Sequence, residues 1–127
     1  MGSLCEEMIT AAAKIVATRD KELMDDIVTM EEEINQKERD IERICMKLLM
    51  QQQPVASDLR VISAAMKMVS DMERIGDQAA DIADLSKHIE DKAVTGDIIN
   101  IRKMAEDTVR MVTESIDAFV KGDLELC

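Results

Sequence analysis

Tryptophan and tyrosine are absent from this chain of 127 residues, and it has one phenylalanine (Phe119), one proline, four glycines and one histidine. Strands separated by turn clusters need more Gly and Pro than this, so the composition argues against a β fold. The 46% hydrophobic content is aliphatic and sulfur-based, with eleven methionines, and suits helices packed on helices. It also rules out a fully disordered polymer and, at this length, supplies one domain with a modest core. The three cysteines, Cys5, Cys45 and Cys127, are odd in number and far apart, with no CxxC pair. Neither a disulfide framework nor a zinc site follows, and a reducing cytoplasm is the expected location. No apolar run approaches a membrane span, there is no secretory signal, and Glu6 stands where an N-myristoylation signal wants Ser or Thr. A soluble chain is expected. Basic charge is scarce too: sixteen Lys and Arg against twenty-seven Asp and Glu leave a net −11. Such a chain repels phosphodiester backbones and anionic lipid, so nucleic acid is not an expected partner.

Three polar breaks, at 17–20, 51–57 and 91–97, separate four helical segments. The second segment carries Leu23, Ile27, Met30, Ile34, Ile41, Ile44 and Leu48 in a heptad seam that Lys37 interrupts, either as a snorkelling stem or as a gap in the packing. Residues 20–51 predict a rod of roughly 48 Å, the dimension of an elongated bundle. Pro54 is expected in the first turn of the third helix, which begins near Val55 and runs to about Glu90. The short connection makes the second and third helices antiparallel. The expected fold is all-α: an elongated, up-down antiparallel three-helix bundle plus a fourth helix, in the manner of a spectrin-like bundle.

Laying MITAAAKIVATRDKEL (8–23) over MVTESIDAFVKGDLEL (111–126) matches Met8/Met111, Thr10/Thr113, Asp20/Asp123, Glu22/Glu125 and Leu23/Leu126 without a gap. The chain therefore reads as one repeat followed by the opening of a second. The fourth helix has an apolar side of Ile98, Ile101, Met104 or Ala105, Val109, Val112, Ile116 and Phe119. This side either completes a four-helix bundle or packs on another copy of the chain.

Within SDMERIGDQAADIADL (70–85), Glu73, Asp77 and Asp84 fall within roughly 40° around the helix, and Asp81 lies roughly 80° from Glu73. These acids border the core face, and like charges at i, i+4 repel. The small residues Gly76, Ala79, Ala80 and Ala83 permit a neighbouring helix to approach beside them. A ligand set made of these residues is all oxygen and favours Mg²⁺, Mn²⁺ or oxygen-bridged iron. The ferritin-like Glu-x-x-His pair is absent. The bland alternative is a solvated acidic face in an acidic chain. His88 raises a further alternative, a phospho-accepting histidine, against an ordinary surface histidine.

The stretch LLMQQQPVASDLRVISAAMKMVSDMERIGDQAADIADL (48–85) resembles the PhoU family of bacterial phosphate-uptake regulators, through QQPVASDLR and ERIGDQAADIA. MGSLCEEM and GDLEL are similar to that family as well, so the resemblance covers the whole chain. It implies two three-helix bundles in tandem, with residues 1–92 as the first repeat and 97–127 as the truncated opening helix of the second. The family's usual N-terminal turns are missing. The resemblance further implies a multinuclear metal site (iron, manganese or magnesium) held by an ExxxD motif, here Glu73 and Asp77. Asp81 and Asp84 are further candidates, and Glu31, Glu38 or Glu42 of the second helix are possible contributors.

The implied role is regulatory, not enzymatic. It is that of a cytoplasmic negative regulator acting as an adaptor between a phosphate ABC transporter's ATPase subunit and a phosphate sensor histidine kinase. Such a chain is expected to form a homo-oligomer and to meet the membrane only through its partners. A PhoU-like domain of a sodium/phosphate cotransporter and a phosphotransfer or purely structural bundle are the alternatives.

Overall fold

The computed structural model describes residues 1–51, 53–89 and 98–122. They form four helices and no strand: α1 (Gly2–Thr18), α2 (Lys21–Gln51), α3 (Ala56–Ser86) and α4 (Ile98–Lys121). The α1–α2 turn is built by Arg19, whose left-handed backbone (φ 52°) lets its N–H close back onto the Ile15 carbonyl at 2.7 Å. Asp20 then starts α2, its carboxylate accepting the Glu22 N–H at 2.9 Å, one of the amides a helix start leaves open.

Ile34 of α2 lies against Gly76 of α3, and the two helices run antiparallel as the short connection requires. The first helix lies along both. Its Cys5 thiol donates to the Met72 carbonyl at 3.4 Å and its Met8 sulfur reaches Gly76, so α1 runs parallel to α3. Met8, Ile15 and Ile34 are fully buried, joined by Leu4, Cys5, Ala11, Ala12, Ile27, Ala79 and Ala83. Each large aliphatic side chain in that set contributes about 1.5–3 kcal/mol.

The fourth helix packs antiparallel on α1. The Thr113 hydroxyl donates to a Glu6 carboxylate oxygen at 2.5 Å, and Ile116 abuts Gly2. Among the described residues α1 is the only helix whose backbone α4 follows. The apolar side of α4 is therefore covered by α1 of its own chain, and α1 is the middle element between α4 and the α2–α3 hairpin. The repeat-related methionines consequently differ: Met8 is fully buried beneath the hairpin, whereas Met111 is 66% exposed.

Two expectations need correction. Pro54 precedes the N-cap residue Val55 and stands outside α3 instead of in its first turn. The third helix ends at Ser86, short of Glu90, where the Ser86 hydroxyl bonds to the Ala83 carbonyl and the amides of Lys87 and His88 bond three residues back. Lys37, which interrupts the seam, is exposed. The expected boundary between repeats, at 92–97, lies outside the described residues.

Candidate metal centre

The close approach of α2 and α3 starts at Gly76. A Cβ there would lie 3.1 Å from both Ile34 Cδ1 and Ile34 Cγ2 and 3.3 Å from Met8 Sδ, so only hydrogen lets Ile34 rest against the α3 backbone. Glu73 and Asp77 flank that contact on α3. On α2, Glu31, Asn35 and Glu38 fall within roughly 60° around the helix axis, on one side of Ile34. The result is a strip of carboxylates contributed by two helices.

Electrostatics confirm the juxtaposition. The Glu73 carboxyl is raised above the ordinary value of 4.5 by desolvation, then by repulsion from Asp77 and Glu38 and by a hydrogen bond to Asp77 that favours the protonated form. Glu31 is raised by desolvation, then by Asp77 and Asp81 across the helix boundary and by Glu32. Glu38 is raised by desolvation, then by Glu42 and Asp77, with Arg39 opposing. Among the described residues none of Glu31, Glu38, Glu73, Asp77 and Asp81 forms an ion pair within 4.0 Å. Arg74, which points elsewhere, pairs with Asp71 instead.

Four predicted ligands therefore divide. Glu73, Asp77 and Asp81 belong to the strip, with Glu31 and Glu38 facing them from α2. Asp84 does not belong to it: its carboxylate pairs with Lys87 at 2.7 Å, and that partner holds it below its ordinary range. His88, exposed in the turn after α3, also lies apart.

The residue that sequence reasoning missed is Asn35. Its Oδ1 is buried without a hydrogen-bond partner, on the stripe between Glu31 and Glu38, and buried polar atoms are rarely left so. An all-oxygen set of mutually repelling carboxylates beside an orphaned amide oxygen fits a hard cation in donor chemistry. In side-chain placement, no group of three or more His, Cys, Asp or Glu among the described residues is arranged to hold a metal ion as it stands. Binding would need carboxylate rotamers to turn inward. The i, i+3 and i, i+4 spacing of Glu31, Asn35 and Glu38 was the available signal; the register between the helices was not.

A pH dependence follows. In metal-free protein the folded-state pKa values of Glu31, Glu38 and Glu73 stand above their unfolded values near 4.5. Just above pH 4.5 the folded chain thus holds protons that the unfolded chain has released. Their contribution to stability rises as pH falls through the raised values and levels off below 4.5. Asp84 behaves oppositely, its contribution being present above 3.8 and lost as pH falls through its lowered value. Thermal melts in chelator are expected to show a midpoint that climbs as pH falls towards 4.5, with a smaller climb in Glu73→Gln. A midpoint flat or falling over that interval would contradict the strip.

Elsewhere, a groove of about 530 Å³ runs between α1, α3 and α4, mostly apolar, with Asp71, Arg74, Gln78 and Thr108 as the polar members of its lining. Among the described residues no helix is long and apolar enough to cross a membrane.

Among the described residues the bundle brings carboxylates of two helices into one strip, and comparison with known proteins specifies the class of protein. Residues 1–86 match the PhoU domain family. The chain belongs to the PhoU family. It is 34% identical to the phosphate-specific transport system accessory protein PhoU homolog of Pseudomonas aeruginosa, over 99% of this chain and 52% of that protein. Identity is 33% to the homolog of Aquifex aeolicus, over 97% and 56%, and 32% to the accessory protein PhoU of Edwardsiella tarda, over 98% and 51%. The crystal structure of PhoU from Pseudomonas aeruginosa superposes with a TM-score of 0.86 at 33% identity, covering 99% of this chain and 61% of that one. These relatives are named as accessory proteins, not enzymes, and the chain spans about half the length of the curated relatives it matches.

Proposed function

We propose that the chain is a cytoplasmic, metal-binding negative regulator of phosphate uptake and phosphate-starvation signalling. It acts by docking between a phosphate transporter's ATPase subunit and a sensor histidine kinase. Membership of a family whose relatives are named for the phosphate-specific transport system supports the phosphate link. The observation that carries the metal reading is the unpaired carboxylate strip, whose members raise one another's pKa values from two helices.

Glu73, Asp77 and Asp81 from α3 and Glu31 and Glu38 from α2 would hold the cation, with Asn35 Oδ1 as a neutral donor. Iron, manganese or magnesium, singly or as a cluster, would supply positive charge that removes the repulsion between the helices. The chain's own residues fix the docking surface: Gly76 sets the spacing of α2 and α3, and Ile34 locks their register. An adaptor of this kind acts by differential affinity for one state of its partner, without chemistry of its own.

The test is metal content by plasma mass spectrometry on chain purified without chelator or nickel, beside Glu73→Ala/Asp77→Ala. Near-stoichiometric metal in the parent, falling at least about tenfold in the double variant, is expected. Metal absent from both, even after reconstitution, would sink the metal reading. Capture of the purified ATPase subunit and of the kinase's cytoplasmic part on immobilised chain tests the adaptor role; binding to neither would refute it.

A further inference from the structure

The contact of Ile34 with Gly76 lies between two unlike edges of the α2–α3 pair. Around α3, Glu73 and Asp77 fall roughly 60° and 100° to one side of Gly76, and Met72 roughly 40° to the other. Around α2, Glu31 and Glu38 fall roughly 60° and 40° to one side of Ile34, and Met30 roughly 40° to the other. On antiparallel helices these sides coincide, so the carboxylates form one edge of the pair. The opposite edge is the seat of α1. There the Met72 carbonyl accepts the Cys5 thiol, Met8 Sδ comes up to Gly76, and Met30 and Met72 pack on the core.

Between the edges the helices have no room to approach. Ile34 is fully buried, and two of its carbons stand 3.1 Å from where a Gly76 Cβ would be. Packed interiors are barely compressible, so a force on one edge does not bring the helices closer at this point; it rocks them about it. The carboxylate edge carries such a force, because its like charges repel without ion-pair partners within 4.0 Å among the described residues. Among the described residues α4 follows the backbone of α1 alone, so a shift of α1 carries α4 with it.

We propose that the Ile34–Gly76 contact is a fulcrum: neutralising the carboxylate edge, as a bound cation does, draws that edge of α2 and α3 together and loosens α1, with α4 on it, from the opposite edge. The occupancy of the strip is thereby passed to a helix that touches none of its carboxylates. The cation as trigger rests on the metal reading above, whereas the fulcrum itself needs only the charge to be removed.

Cys5 reports the seat of α1. Burial pushes its thiol up to about 11, so near neutral pH it reacts only when α1 leaves the hairpin. Alkylation by iodoacetamide, resolved by peptide mass spectrometry, is followed in the metal-free parent, in metal-free Glu73→Gln/Asp77→Asn, and in the parent with added Mn²⁺. Expected is a Cys5 rate roughly fivefold or more faster in the neutral variant and with Mn²⁺, while Cys45, buried on α2, keeps its rate. Asp84→Asn, which removes an acid outside the strip, should leave Cys5 unchanged. Ile34→Val, which trims the fulcrum by one carbon, should shrink the difference between charged and neutral protein. Simple stabilisation by a ligand has the opposite sign, a slower Cys5. A Cys5 rate that is unchanged or slower in the neutral variant overturns the fulcrum, and so does an equal rise at Cys45, which marks general loosening. A faster Cys5 in the neutral variant with no response to Mn²⁺ upholds the fulcrum and counts against the metal reading alone.

Discussion

Gly76→Leu lowers the thermal midpoint by roughly 10 °C or more, the result expected of overpacking that costs about 3 kcal/mol in a chain of this size. The leucine Cβ alone would meet Ile34 at 3.1 Å and Met8 Sδ at 3.3 Å, with three more carbons to place beyond it. Ile34 is held from both sides, so the helices must separate. Separation removes α1 from the hairpin as well, because Met8 sits in the same contact. Gly76→Ala is the control. Its single methyl gains about 1 kcal/mol of helix propensity and loses a comparable amount to crowding, so its midpoint should stay within a few degrees of the parent. Thermal melts of the two variants in chelator measure this. A Gly76→Leu midpoint equal to that of Gly76→Ala would mean that α2 and α3 do not touch there.

The second large effect is expected at Ile34. Truncation to alanine at this fully buried position should cost about 2–5 kcal/mol in urea unfolding, the transfer free energy plus the cavity. The cavity opens directly above Gly76, and this couples the two sites. In Ile34→Ala the added methyl of Gly76→Ala enters vacated space, so the double variant should be more stable than the sum of the singles by roughly 0.5–3 kcal/mol. Additive effects would place Ile34 and Gly76 apart and remove the physical account of how the carboxylates of the two helices meet.

The helices were legible because their signals are local. The heptad seam of the second segment falls in α2, and the breaks at 17–20 and 51–57 contain the turns that Arg19 and Val55 complete. Glu73, Asp77 and Asp81 were legible as a stripe because a helix places i and i+4 on one side. Asp84 shares that angular position, yet its partner is Lys87, three residues on. Angle around a helix does not say which neighbours another helix brings. Near Glu73 and Asp77 it brings Glu38, and near Asp77 and Asp81 it brings Glu31. Asn35 drew no notice because a neutral amide carries no charge pattern; it is singled out only by the burial of its Oδ1 without a partner.

By itself the sequence determined the all-α class, the four segments and the acidic stripe on one side of the third segment. Each follows from periodicity within one helix, which is set by backbone geometry and needs no partner. Only the tertiary structure decided that α4 lies along α1 and that Glu31 and Glu38 complete the strip while Asp84 leaves it. Those outcomes depend on the register and relative lengths of packed helices. Register is fixed by contacts such as Ile34 on Gly76 between residues far apart in the chain, and no local pattern in the sequence encodes which of them will meet.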